Sequence, residues 1–555
     1  MVISSKLGKP NYRARARRKS VGVADLVNKI IMPTEKNKEI LVLASTLLVT
    51  GSLLASGGWY GLKSGILGNQ HSATEVNRNQ QNNPQAKVTL NALGDTFSGY
   101  STIRSQAFQG SLLERGVGIN YADEFAQKDR AAALNQGKAD IIVTTLDQYL
   151  THQPQGKIVA LIDRTVGADA VVLNSKRYPQ LKSLIDLEKL IQEQASQGKR
   201  LKIIYAGDTP SEFLATVLDT KFDSFNLANL DIVEVEDASI AWSQMQKDKN
   251  IALAVLWEPY VTEAKKQGNT VVISSGDAPK TIVDVAVASD RILQNDPEAV
   301  QHFVEAYYRR LDRSLQDKGL LVRQIATDGN LATSEAQTIN QGIKFFTSVE
   351  AQEWMNSGTL DKRIKAIAGI LALSGRINNI PTNPQALYDS QYLSPVAQQT
   401  SSIIDSIAAD NPELAALLKG KSEKPVKQVS ESQVEQATPI GNLTVQGEVK
   451  FQTGSANLTT SGKQTLDQLV NEINEFSPAN IAIKVQGHTS RTGSATLNQR
   501  LSEQRAQVVQ NYLQNKQVPH NFFSEGLGFS QPLPGANPMS ALNQRTVIRL
   551  VRIGS

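Results

Sequence analysis

From Ile40 to Leu62 no side chain is charged, and Leu41, Val42, Leu43, Leu47, Leu48, Val49, Leu53 and Leu54 make the run apolar. At about 1.5 Å per residue, such a run forms a helix about 34 Å long, enough for a hydrocarbon core of about 30 Å. Trp59 and Tyr60 close its far end, where amphipathic rings favour a membrane interface. The near flank carries Arg13, Arg15, Arg17, Arg18, Lys19, Lys29, Lys36 and Lys38. This asymmetry predicts a basic cytoplasmic tail over residues 1–38, a transmembrane helix over 39–62 and export of everything beyond about residue 63. A cleavable signal peptide is the competing reading; the long apolar run and the long segment before it speak against it.

Beyond the run, a polar stretch low in apolar residues reads as a tether over 63–87. Short β-branched runs then alternate with helical patterns. Strands are expected at Val88–Leu93, Ile141–Val143, Ile158–Ile162, Ala170–Leu173, Leu201–Tyr205, Ile232–Val235, Ala252–Leu256, Val271–Ile273 and Ile282–Ala288. Helices intervene, as at Leu181–Ala195, Ser211–Leu218 and Ile240–Lys247, and from Pro297 to Gly375 the pattern is mostly helical. This alternation predicts an α/β fold with mainly parallel sheets over 88–400, of a size that suits two lobes better than one. A helical and polar linker follows over 401–438. Residues 439–555 read as a separate α+β unit. It has a strand at Gly447–Phe451, a helix over Thr465–Phe476, an alternating strand at Ile481–Val485, a second long helix and a last strand near Thr546–Ile553.

Composition narrows the chemistry. Of 555 residues, 40% are apolar and 20% charged, which excludes a disordered chain and a polytopic membrane protein. There is no cysteine and only five histidines, so disulfides and thiolate chemistry are excluded and a histidine-rich metal site is not expected. No cofactor is implied. The net charge of +5 resides in the first 38 residues, whose net charge is +8; the rest carries −3. A basic nucleic-acid-binding body is therefore not expected.

In open α/β sheets, ligands sit in the loops that lead from strands into helix N-termini. Those loops here offer Ser98, Tyr100 and Ser101, then Thr144 and Thr145, then Thr209 and Ser211, then Trp257 and Glu258. Three of the four present hydroxyls beside backbone N–H groups, which suits a small oxyanion; as single loops they also read as ordinary N-caps. Three motifs stand out: Leu134-Asn135-Gln136-Gly137-Lys138-Ala139-Asp140-Ile141, Leu256-Trp257-Glu258-Pro259-Tyr260, and Ile282–Ser289 followed by Asp296-Pro297-Glu298-Ala299-Val300. With them the segment resembles periplasmic solute-binding proteins of nitrate/sulfonate/taurine-type ABC importers. It implies a two-lobed, type II-like periplasmic-binding fold with crossovers near Ala170–Leu173 and Ile282–Ala288. It also implies a small solute in the cleft, such as phosphate, nitrate or a sulfonate, and an ABC permease as a partner.

In the second long C-terminal helix, Leu497, Leu501, Val508 and Tyr512 fall within about 60° at 100° per residue, with Arg505 at about 80° and Asn498 at about 100°. A cation at the margin of an apolar stripe snorkels, pairs or meets a ligand. The sequence from Gly487-His488-Thr489-Ser490 through Asn498, Leu501-Ser502 and Arg505-Ala506 resembles the OmpA-family peptidoglycan-binding motif. Phe451–Leu458 upstream, with Gly526-Leu527-Gly528, Pro532 and Asn543-Gln544-Arg545 downstream, fits the same family. The resemblance implies binding of peptidoglycan through Thr489, Ser490, Asn498, Leu501, Arg505 and Arg545. An arginine would hold a carboxylate of diaminopimelate and an aspartate its ammonium. Arg505 stands in the arginine's place and Ser490 in the aspartate's, where a neutral hydroxyl gives a weaker bond.

Together these features predict a single-pass inner-membrane protein, mostly periplasmic, that binds a small solute and associates with the wall. The alternative is a structural tether whose solute-binding fold is an empty interaction module. An enzyme is not expected, since no serine–histidine pair stands at motif spacing.

Overall fold

The computed structural model describes residues 86–421, 426 and 428–553. The uncharged run at 40–62 and its flanks lie outside the described residues; among the described ones no helix is long and apolar enough to cross a membrane. The described residues form three sheets. The chain builds β1 (Val88–Gly94), β2 (Val117–Asp123), β3 (Ile141–Thr145) and β4 (Gly156–Thr165) in the first. It crosses to the second for β5 (Asp169–Leu173), β6 (Lys202–Ala206), β7 (Asp231–Val235), β8 (Ile251–Trp257) and β9 (Thr270–Ser274), then returns for β10 (Val283–Ser289) and β11 (Ile343–Phe345). The third holds β12 (Thr438–Asn442), β13 (Ile481–Gly487), β14 (Asn521–Gly526) and β15 (Thr546–Arg552). The strand orders are β11-β4-β10-β3-β1-β2, β7-β6-β8-β5-β9 and β12-β15-β13-β14.

All nine strands expected in the middle segment form. They read clearly because helices cover both sheet faces, so β3, β5 and β10 are buried along their whole length. The sheets are mixed rather than mainly parallel. β10 re-enters the first sheet between β3 and β4 and runs antiparallel to both, and β5 enters the second antiparallel to β8 and β9. The two crossings between lobes cause this, because each delivers the chain to its new sheet from the opposite end. β2 was not expected; it is an edge strand with only Val117 buried, so its apolar signal is weak. The expected strand at 447–451 does not form. Gly447 adopts φ +99°, which breaks an extended run, and only Phe451 makes an isolated bridge, to Leu458.

Residues 401–438 are anchored at both ends. Ile404, Ala415 and Leu418 form a small core, with Leu315 and Val349 packed against it. Helix Glu431–Gln436, capped by Ser430, sets Val434 against Ala482 and Val551 of the third sheet.

The second lobe and the C-terminal unit share one hydrophobic core, which joins Leu184, Phe222 and Ala278 to Ile440, Leu443 and Phe476. Phe222 and Phe476 meet edge to face with ring centroids 5.9 Å apart. Gly441 makes the approach possible, because a Cβ there would lie 2.8 Å from Phe222 and 2.9 Å from the Ser224 hydroxyl. Backbone bonds cross the seam: Asp223 N–H to Asn442 O at 3.0 Å, Thr444 N–H to Lys221 O at 2.9 Å and Ser477 N–H to Asp277 O at 2.8 Å. Arg552 donates to both oxygens of the fully buried Asp277, at 2.8 and 2.6 Å. On another side Arg363, from helix Thr359–Leu373 of the first lobe, donates to Glu475 at 2.9 Å.

Phe476→Ala removes a buried ring at this seam and is expected to cost about 3–5 kcal/mol. Hydrogen exchange should show β6 and β13 losing protection together; loss confined to β13 would mean that the seam does not couple them. A second test concerns His488 and His520. Burial pushes both rings down to about 4, helped at His488 by Arg545 and Arg549. The unfolded rings take up protons below about 6.5 and the folded ones only near 4, so these two groups oppose folding as pH falls through that window. Histidine NMR signals of both should stay those of neutral rings from pH 8 to 5; a midpoint near 6.5 for either contradicts the burial account.

Candidate functional site

A cavity of about 400 Å³ lies between the first two sheets, at the two crossings of the chain. The first lobe supplies the loop after β1 (Asp95 to Ser98, with Tyr100), Thr145 at the end of β3 and Thr165 at the end of β4. The second supplies Asp169 at the start of β5, Thr209-Pro210 at a helix start, and Trp257-Glu258 at the end of β8. Thr209 caps its helix by accepting from Ser211 N–H at 3.2 Å, and Pro210 starts it without needing an amide partner.

Six of the nine expected residues line this cavity: Ser98, Tyr100, Thr145, Thr209, Trp257 and Glu258. The other three turn into the protein. Ser101 meets Gln324 at 3.4 Å, Thr144 donates to Gln127 Oε1 at 2.8 Å, and Ser211 is fully buried with its hydroxyl unpartnered. Ser211, which follows Pro210 at the helix start, does not line the cavity.

The charge of the wall runs against an oxyanion. Asp95, Asp169, Glu236, Asp237, Glu258 and Asp284 line the cavity, and no lysine, arginine or histidine among the described residues does. Part of this acidity is internal. Asp95 accepts from the fully buried Arg130 at 2.9 Å, Asp237 caps Ser239 N–H at 2.6 Å, and Glu258 accepts from Thr262 N–H at 3.0 Å. Asp284 is different. Its Oδ1 accepts from Tyr100 Oη at 2.5 Å, its Oδ2 has no partner, and the residue is 1% exposed. Behind it in the β4–β10 register stands Asp163, with neither carboxyl oxygen bonded. Burial raises Asp163 and Asp284 well above the usual carboxylate range; Asp169 raises Asp163 further, and Asp163 raises Asp284. Burial likewise pushes Asp169 up to about 7, with Asp147 and Glu258 adding to it. A survey of loops passes over Asp284 because it lies inside a strand. A carboxylate within the apolar run Val283–Ser289 was the available signal, since a buried charge without a partner is costly.

A second site lies on the C-terminal unit. Gly487 and Gly526, at the ends of β13 and β14, let helix Ala495–Asn515 rest on the sheet: a Cβ on either would come within 2.3 Å of the helix backbone at Ser502 and Glu503. The helix therefore buries Asn498, Ser502, Arg505, Ala506 and Val509. Arg505 sits within the buried face rather than at the margin of the expected apolar stripe, and Leu497 is 59% exposed.

Arg505 Nε donates to Ser455 O at 3.0 Å and its guanidinium lies 5.0 Å from the Phe451 ring centroid. Burial alone lowers its pKa. Gln544 joins the two residues of interest: it accepts from Arg505 Nη1 at 3.4 Å and donates to Ser490 Oγ at 3.3 Å. Asn498 fixes the adjoining turn through Thr492 O at 2.9 Å, and Thr489 is buried beside Ser490 with its hydroxyl unpartnered. Leu501 is half-buried. Arg545 is held by Gln531 O at 3.1 Å and forms no bond within the Ser490–Gln544–Arg505 set.

Residues 450–545 match the OmpA family and residues 110–317 match the family described as NMT1/THI5 like. Outer membrane protein A of Shimwellia blattae is 38% identical over 96 residues, 17% of this chain and 40% of that protein. That of Klebsiella aerogenes is 41% identical over 94 residues, 17% and 27% respectively. The chain thus spans less than half the length of these relatives. Among solved structures, the alkanesulfonate-binding protein SsuA from Xanthomonas axonopodis pv. citri, bound to MOPS, is similar with a TM-score of 0.40 and 13% identity, over 56% of this chain and 98% of that one. The periplasmic nitrate-binding protein NrtA from Synechocystis PCC 6803 gives a TM-score of 0.43 and 12% identity, over 57% and 89%. The chain carries an NMT1/THI5-like domain followed by a C-terminal OmpA-family domain.

Proposed function

We propose that this is a non-enzymatic envelope protein that captures a small solute between its two lobes while its C-terminal domain associates with peptidoglycan. The observation that carries the first half is the cavity itself, walled by both lobes at the two crossings of the chain. Concave sites between domains, apolar with a few convergent polar groups, are the usual form of small-ligand pockets. The second half rests on the OmpA-family match and on the Ser490–Gln544–Arg505 set. In this reading Arg505 pairs with a stem-peptide carboxylate and displaces the weak 3.4 Å bond to Gln544. Ser490 accepts from the ammonium. Residues 1–38 are cytoplasmic, 39–62 span the inner membrane, and the remainder is periplasmic, with an ABC permease as a further partner.

Pull-down of the full-length protein on purified sacculi tests this. Arg505→Ala removes the partner of a carboxylate and is expected to cost about 1.5–3 kcal/mol of binding. Ser490→Asp places an opposite charge at the ammonium and should strengthen retention. Equal retention of wild type and Arg505→Ala, with no gain for Ser490→Asp, would mean that the wall contact lies elsewhere.

A further inference from the structure

The wall of the cleft allows the class of solute to be named; this step rests on the solute-binding reading above. Its carboxylates are not balanced by any basic side chain in the lining. Acidity alone would not mark a ligand, since Asp95, Asp237 and Glu258 have partners within the protein. Asp284 supplies the independent sign. It is 1% exposed, lines the cavity and keeps Oδ2 without a hydrogen-bond partner. A buried carboxyl oxygen left unmatched is expensive unless something arrives to match it.

The aromatic groups point the same way. Phe97 and Phe125 face the cavity from the first lobe and Trp257 from the second. Phe125 is 65% exposed, so its ring face is open to a ligand. Ring faces attract cations and have no comparable affinity for an oxyanion. Among the described residues no group of three or more acidic, histidine or cysteine side chains is arranged to hold a metal ion, so an organic ion suits the site better than a bare one.

We propose that the cleft binds a small organic cation bearing N–H groups, an alkylammonium or guanidinium ion, with an N–H donated to Asp284 Oδ2 and its charge held between Trp257 and Phe125. Glu236 adds a further carboxylate to the wall. Tyr100, bonded to Asp284 Oδ1, leaves only the second oxygen free for the ligand. Recognition is then directional, and a quaternary ammonium ion without N–H should bind less well.

Isothermal titration of the full-length protein with putrescine, agmatine, choline, sulfate, nitrate and phosphate tests this. The expected result is saturable binding of putrescine or agmatine, choline at least tenfold weaker, and none with the three anions. Asp284→Asn should weaken the cation tenfold or more. Phe125→Ala, at an exposed position that the fold does not need, should weaken it several-fold. Binding of an anion without any cation would overturn the cationic assignment and leave the solute-binding reading standing. Cation binding unchanged by both substitutions would overturn the site. Binding of none of the six would overturn this assignment and count against the solute-binding reading as well.

Discussion

The contact of Phe222 with Phe476, made possible by Gly441, determines what kind of molecule this is. Two domains joined by a charged linker would ordinarily move independently. Here the linker is bypassed. The second lobe and the OmpA-family domain bury side chains in one core, exchange backbone hydrogen bonds across the seam and lock Arg552 onto the buried Asp277. A buried carboxylate held this way is a strong constraint, because separating the pair would leave its charge uncompensated. The cleft and the C-terminal domain are therefore fixed on one body through the second lobe.

Through the shared core the second lobe carries the C-terminal domain with it. The first lobe also reaches that domain, through Arg363 and Glu475. It meets the second lobe through Arg376 with Glu212, through His152 with Asp208 at 3.0 Å, and through Phe213 and Val217 of helix Pro210–Lys221, which join the first lobe's core.

Much of the fold was legible in the sequence. Buried strands such as Gly156–Thr165 and Ile251–Trp257 contain continuous apolar runs, and such runs are hard to misread. The edge strand β2 was not legible, because a strand exposed on one side and at its edge needs little apolar patterning. Strand direction was misjudged, since it follows from the lobe crossings and not from local pattern. In the cleft, the loop residues were found by their place after strands. Asp284 and Asp163 are not legible as site residues because they lie within strands whose pattern is set by apolar neighbours. In the C-terminal domain the leucines of the long helix suggest a face with Arg505 at its margin. The glycines at 487 and 526 decide that face instead, by letting the helix approach the sheet. No pattern in the sequence announced that Gly441 and Phe476 would join the two domains, because that contact pairs residues more than 200 positions apart with no local signature.

A distance between the cleft-bearing lobe and the C-terminal domain tests most directly that they form one body. The chain has no cysteine, so Lys189→Cys with Gln504→Cys, both exposed and on opposite sides of the seam, accepts two spin labels without background. Pulsed electron spin resonance should give a single narrow distance distribution, unchanged by solute. A broad distribution, as a flexible tether produces, would contradict the shared core.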